Sequence, residues 1–172
     1  MLRKAGFRID DPEIIAVTGW TTADLINAVE KTTIGKRYDI VSLLIGVNNE
    51  YQRKSTGEYE KQFRYLVRKA ISFGSGNSDH VFILSIPDYS VTPFAANLDK
   101  GRIQKSLEEF NAINSRIAGE NQIQYIYITE GSRKAGNDSS LLAKDGLHFS
   151  GREYFRWAGL LASSIIGSGI LS

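Results

Sequence analysis

"DIVSLLIGVNNEYQ", residues 39–52, carries the reading of the fold. Its first seven residues form a near-continuous apolar run of β-branched and aliphatic side chains, the signature of a strand buried on both faces. A glycine and two asparagines then break the run, as a sharp turn out of a sheet would. Three other stretches repeat the pattern: "EIIAVT" (13–18), "VFILSI" (81–86) and "IQYIYIT" (123–129). Strands buried on both faces belong to parallel sheets, which need helical crossovers between them.

The helical patterns fall where those crossovers are required, at about 22–33, 56–73, 100–118 and 151–166. Within 56–73, Tyr59, Phe63, Leu66, Val67, Ala70 and Ile71 recur at helical spacing and predict one buried face. Three starts show a capping-box pattern, in Thr21 with Asp24, Ser55 with Glu58, and Ser150 with Glu153. The alternation of strand and helix predicts a single three-layer α/β/α domain over 1–172 with right-handed crossovers. In such a sheet, ligands bind beyond the carboxyl ends of the strands. "TGWTT", "GVNNEYQ", "PDYSVTPF" and "EGSRKAGNDSSLLAKDGLH" all fall at that edge.

Composition narrows the function. A chain of 172 residues with 42% hydrophobic and 23% charged residues suits one soluble globular domain. A net charge of +2, with Lys and Arg scattered, gives no footprint for nucleic acid. There is no cysteine, so disulfides and thiol nucleophiles are excluded, and two distant histidines give no support for a transition-metal site or other cofactor. "MLRKAGFRIDD" has a basic start without an apolar stretch and does not read as a secretory signal. "WAGLLASSIIGSGIL" falls short of the ~20 residues a membrane span needs and reads as a helix packed on the sheet. "GSGNSD" (74–79) follows a helix and precedes a strand, the reverse of a dinucleotide fingerprint, and no G-x-S-x-G elbow occurs.

Three places at the loop edge carry chemistry, each with a plainer reading beside it. Asn48 offers amide donors to a cleft, or only closes its own turn. Gly19 offers an unobstructed amide, or only a tight turn before the Thr21 cap. Asp145, three residues before His148, either steers a catalytic imidazole or caps a polar loop ahead of the last helix. His80 starts a strand at the opposite edge and reads as structural. Trp20, Tyr51, Tyr89, Phe94 and Phe149 share the loop edge and either line a pocket or roof the core.

Taken together, "TGWTT", "LLIGVNNEY" and "DGLHFSG", in this order and spacing, resemble the SGNH/GDSL hydrolase family of esterases and acylhydrolases. The resemblance spans about residues 1–166 and implies a flavodoxin-like sheet and a small ester or acylated substrate, carbohydrate esters among them. It implies His148 and Asp145 as catalytic residues, and Gly19 and Asn48 as oxyanion-hole donors. Position 49 departs from the pattern: the family commonly has Asp there and this chain has Asn49.

A larger departure concerns the family's first block, a strand followed by Gly-Asp-Ser that carries the nucleophile. No Gly-Asp-Ser occurs in the sequence. "LRKAGFRI" reads as the last turn of a helix closed at Gly6, so the expectation is that the first strand, the serine and any targeting segment lie ahead of Met1. In the flavodoxin-like order that strand would separate 13–18 from 39–45. Without it the gap must be closed by direct pairing, by a strand from a neighbouring chain, or by dimerisation, so residues 1–172 alone are expected to self-associate and to lack esterase activity. The alternative is a non-catalytic binding or scaffold domain that retains the fold.

Overall fold

The computed structural model describes residues 1–32 and 37–171. Its elements run α1 (Thr22–Lys31), β1 (Val41–Leu43), α2 (Val47–Tyr51), α3 (Thr56–Phe73), β2 (Val81–Leu84), α4 (Lys100–Glu120), β3 (Gln124–Ile126), α5 (Thr129–Arg133) and α6 (Gly151–Ser168), with short 3-10 turns between several of them. The strands form one parallel sheet in the order β1-β2-β3, with Val41 opposite Val81 and Phe82 opposite Gln124. α3 connects β1 to β2 and α4 connects β2 to β3, the helical crossovers that parallel neighbours need. The expected end of the first helix at Thr33 lies outside the described residues.

Side-chain alternation along β2 divides the core in two. Val81 and Ile83 enter a cluster with Leu25, Phe63, Leu107 and Phe110, while Phe82 and Leu84 enter another with Trp157 and Ile165. The sheet is therefore the middle layer, between α1, α3 and α4 on one side and α6 on the other. Every residue of β2 is buried, which explains its unbroken apolar sequence.

Caps and buried faces show why the helices begin where they do. Thr21 and Asp24 form a reciprocal capping box, and Leu25 and Val29 then turn inward on α1. Ser55 caps α3 by accepting from the Glu58 amide at 3.2 Å, but the Glu58 carboxylate accepts from Gln62 instead of reaching back. The box expected at Ser150 and Glu153 does not form. The Ser150 hydroxyl donates to the Ser140 carbonyl, and the wholly buried Glu153 carboxylate accepts from Trp157 and Arg156. A buried carboxylate needs strong donors, and these two outcompete the cap.

The strand expected at 13–18 is also absent. This segment forms no ladder, and Ile14 and Val17 are 76% and 59% exposed. It does not pair directly with β1, whose described ladder partner is β2 alone. A β-prone segment without a neighbour in register has nowhere to send its amides except solvent, so propensity alone does not make a strand. At the start of the chain, Leu2–Ala5 form one 3-10 turn closed by Gly6 in the left-handed region, the helical ending expected there.

Candidate active site

Beyond the carboxyl end of β1 the chain must leave the sheet within a few residues. Gly46 makes this possible with φ +126°, and a Cβ there would stand 2.6 Å from the Tyr59 hydroxyl and 2.7 Å from Ile86 Cδ1. Tyr59 fixes the turn by donating its one hydroxyl hydrogen to Asn114 Oδ1 at 2.7 Å, with the Ile45 carbonyl 3.3 Å from the same oxygen. Burial pushes its phenol pKa far up, so the ring stays neutral and remains a donor. α2 follows at once and carries Asn48, Asn49, Glu50 and Tyr51.

The two asparagines do different work. Asn48 Nδ2 donates one hydrogen to the Trp20 carbonyl at 3.0 Å, which ties α2 to the Gly19–Trp20 turn; its second hydrogen remains for another acceptor. Gly19 has φ +90° with open space where a Cβ would stand, so conformation and not crowding calls for glycine there. Asn49 is buried and brackets Thr22, accepting from its amide at 2.9 Å and donating to its hydroxyl at 2.7 Å. The departure at position 49 therefore fastens the start of α1. An Asp could accept from the Thr22 amide but could not donate in the second bond unless protonated.

Opposite stands the loop 143–149. Asp145 Oδ1 accepts from the amides of Leu147 at 3.0 Å and His148 at 2.9 Å, and Oδ2 meets His148 Nδ1 at 2.7 Å. The carboxylate thus caps its own loop and also meets the imidazole ring. The Leu147 amide, then the imidazole, then the His148 amide hold its pKa down at about 2, so it is ionised in any ordinary buffer. An ionised carboxylate only accepts, so Nδ1 carries the proton and a neutral ring keeps its lone pair on Nε2. The loop is closed by an Ala143 amide bond to the His148 carbonyl at 2.8 Å and tied to its neighbour by the Phe94 amide on the Gly146 carbonyl at 3.0 Å.

A cleft of about 560 Å³ lies between these parts. Gly19, Asn48 and His148 line it together with Trp20, Tyr51, Tyr89, Phe94 and Phe149, while Asp145 stands behind His148. The cleft has the size of a small-molecule site. His80 lies elsewhere, at the end of the 3-10 turn that precedes β2, where Nδ1 meets the Asp39 carbonyl at 2.9 Å.

Some residues that shape this cleft are not apparent from sequence motifs. Tyr154 and Trp157 line it from α6. The Trp157 indole donates to Glu153 at 2.8 Å, and the Tyr89 hydroxyl donates to the buried Glu50 at 2.7 Å. Each carboxylate also receives an arginine, Arg156 at 2.6 Å on Glu153 and Arg102 at 2.8 Å on Glu50. The only signal in the sequence is spacing: Glu153 and Trp157 are four apart and share a face of α6.

A parallel sheet between helical layers thus carries the Asp145–His148 pair and the Gly19 and Asn48 turns at a cleft beyond its strand ends. The sequence profile of the GDSL-like lipase/acylhydrolase family matches residues 2–154, and the chain belongs to that family. Among solved structures it is similar to a lipase/acylhydrolase from Enterococcus faecalis, with a TM-score of 0.66 and 21% identity over 90% of this chain and 73% of that one. It is also similar to an acetylxylan esterase from Geobacillus stearothermophilus, with a TM-score of 0.61 and 19% identity over 87% of this chain and 68% of that one. At such identities the likeness establishes the fold. A sequence search of curated proteins finds no match. Among the described residues no helix is long and apolar enough to cross a membrane.

Proposed function

We propose that this domain carries the acid–base and oxyanion machinery of a serine-type carboxylic-ester hydrolase working through an acyl-enzyme. The observation that carries the reading is the 2.7 Å Asp145–His148 pair on the same cleft as the Asn48 amide and the Gly19 turn. A serine hydroxyl attacks the acyl carbon and its proton passes to His148 Nε2, while Asp145 fixes the tautomer and stabilises the imidazolium. The Gly19 N–H and the second Asn48 amide hydrogen receive the oxyanion. Collapse of the tetrahedral intermediate expels the alcohol, which takes the proton back from Nε2. Water then repeats the sequence on the acyl-enzyme, with His148 again as base and then acid.

The sequence holds no Gly-Asp-Ser, and the nucleophile is proposed to belong to a segment outside residues 1–172. Residues 1–172 alone are then expected to leave a short-chain aryl ester unhydrolysed. The same chain joined to a preceding strand and Gly-Asp-Ser is expected to hydrolyse it. In that longer chain His148→Ala should lower kcat on the order of 10⁴-fold or more. Asn48→Ala should lower it about 10²–10³-fold. Both residues lie at the cleft and outside the strand cores, so the far-ultraviolet dichroism should not change. Turnover by the longer chain that survives His148→Ala would overturn the assignment. A longer chain that never turns over an ester would favour a binding domain.

A further inference from the structure

We propose that Tyr51 and Phe94 form an aromatic platform at the mouth of the cleft, selecting esters whose alcohol half is a six-membered ring with a flat face, aryl or pyranose. This rests on the ester-hydrolase reading and adds the class of leaving group. The two rings reach the cleft from separate segments and meet each other there. Tyr51 ends α2, three residues after Asn48, and the Phe94 backbone is bonded to Gly146, between Asp145 and His148. Their centroids are 5.9 Å apart with the planes at 51°. They are 52% and 42% exposed, whereas Tyr89 and Phe149 on the same cleft are 5% and 7% exposed.

An exposed aromatic ring alone proves little. What distinguishes this pair is the support behind it. The Tyr51 ring meets Tyr89 edge-on at 6.2 Å and 74°, and the Tyr89 hydroxyl is anchored on the buried Glu50, which Arg102 holds from the surface. Tyr89, itself anchored on Glu50, thus backs a Tyr51 ring that remains half exposed to solvent. A ring fixed in advance offers contact area without the entropy cost of ordering it on binding. A rigid six-membered ring places a whole C–H or π face on such a platform, whereas a linear chain must first freeze its own rotors. In the proposed reaction the leaving alcohol takes its proton from His148, so it lies on the side of the cleft where Phe94 is tied to the histidine loop.

Binding of the alcohol half tests this without turnover. Residues 1–172 would be titrated with benzyl alcohol, methyl β-xylopyranoside and n-hexanol, with dissociation constants read by ligand-observed NMR. At least one ring probe should bind more tightly than n-hexanol, and whichever binds identifies the ring as aryl or pyranose. Tyr51→Ala and Phe94→Ala should each weaken that probe about tenfold. The same substitutions should change n-hexanol less than twofold. Tyr51→Leu and Phe94→Leu, which keep apolar bulk without a π face, should weaken the ring probe as the alanines do, with unchanged dichroism showing that the fold holds. Ring binding that ignores both substitutions, an equal loss for n-hexanol, or no ring binding at all would overturn the platform. Because no ester is cleaved, the platform can fail while His148-dependent hydrolysis stands, and the reverse.

Discussion

"VFILSI" at 81–86 and "EIIAVT" at 13–18 are alike in kind, and they end in opposite states. β2 lies between two strands and two core clusters, and its residues 81–83 are wholly buried. The segment 13–18 runs unpaired along the cleft, with Ile14 and Val17 largely in solvent. The difference does not lie in propensity, which favours a strand in both. β2 has a partner for its amides on each edge and a packed layer on each face. The other segment packs Ile15 against the larger core cluster and accepts a hydrogen bond from Tyr38 at Glu13, but among the described residues it has no ladder partner. Strand formation in this protein is decided by neighbours.

The largest test of that contrast is a matched pair of truncations. Ile83→Ala opens a cavity between α3, α4 and the sheet and should cost about 2–5 kcal/mol in a urea melt. Val17→Ala should cost no more than about 0.5 kcal/mol. Comparable losses at the two positions would mean that 13–18 is packed as a strand in solution, and would break the comparison.

A second pair sharpens it at the cleft, where both glycines have positive φ. Gly46→Ala combines left-handed strain with contacts under 3 Å to Tyr59 and Ile86, and should cost about 2–3 kcal/mol. Gly19→Ala meets strain alone and should cost about 1 kcal/mol. Equal effects would show that the Tyr59 hydroxyl yields freely, against its place between Asn114 and Ile45.

The smallest effect is a titration. Carbon-13 NMR should find the Asp145 carboxyl with a midpoint near pH 2, and His148→Ala should raise it while the two amide donors keep it below the ordinary value. The sign follows from linkage. The folded pKa lies below the unfolded one, near 3.9, so this carboxylate stabilises the loop fully above about pH 4 and ceases to as the pH falls through about 2. An unshifted midpoint would detach Asp145 from both His148 and the loop amides.

Much of this was legible along the chain, because the signals act over one turn or one strand. The capping box at Thr21 and Asp24, the apolar face of α3 and the turn at Gly6 each lie within reach of a single backbone segment. So does the Asp145–His148 pair, where three residues of separation let one carboxylate take two amides and an imidazole. The unpaired course of 13–18 could not be read in this way, since it depends on what stands beside the segment. The bracket between Asn49 and Thr22, 27 residues apart, was hidden for the same reason, and so was the anchor of Tyr89 on Glu50, 39 apart. Glu153 shows the limit most sharply. Its spacing from Ser150 matches a cap, yet burial beside Trp157 and Arg156 redirects it. By itself the sequence determined the α/β alternation, the helix starts at Thr21 and Ser55 and the histidine loop, all through short-range bonding and periodicity. Only the tertiary structure decided which apolar segment became a strand, which carboxylates became buried anchors and which aromatic rings stayed exposed, because burial and pairing are set by residues far apart in the chain.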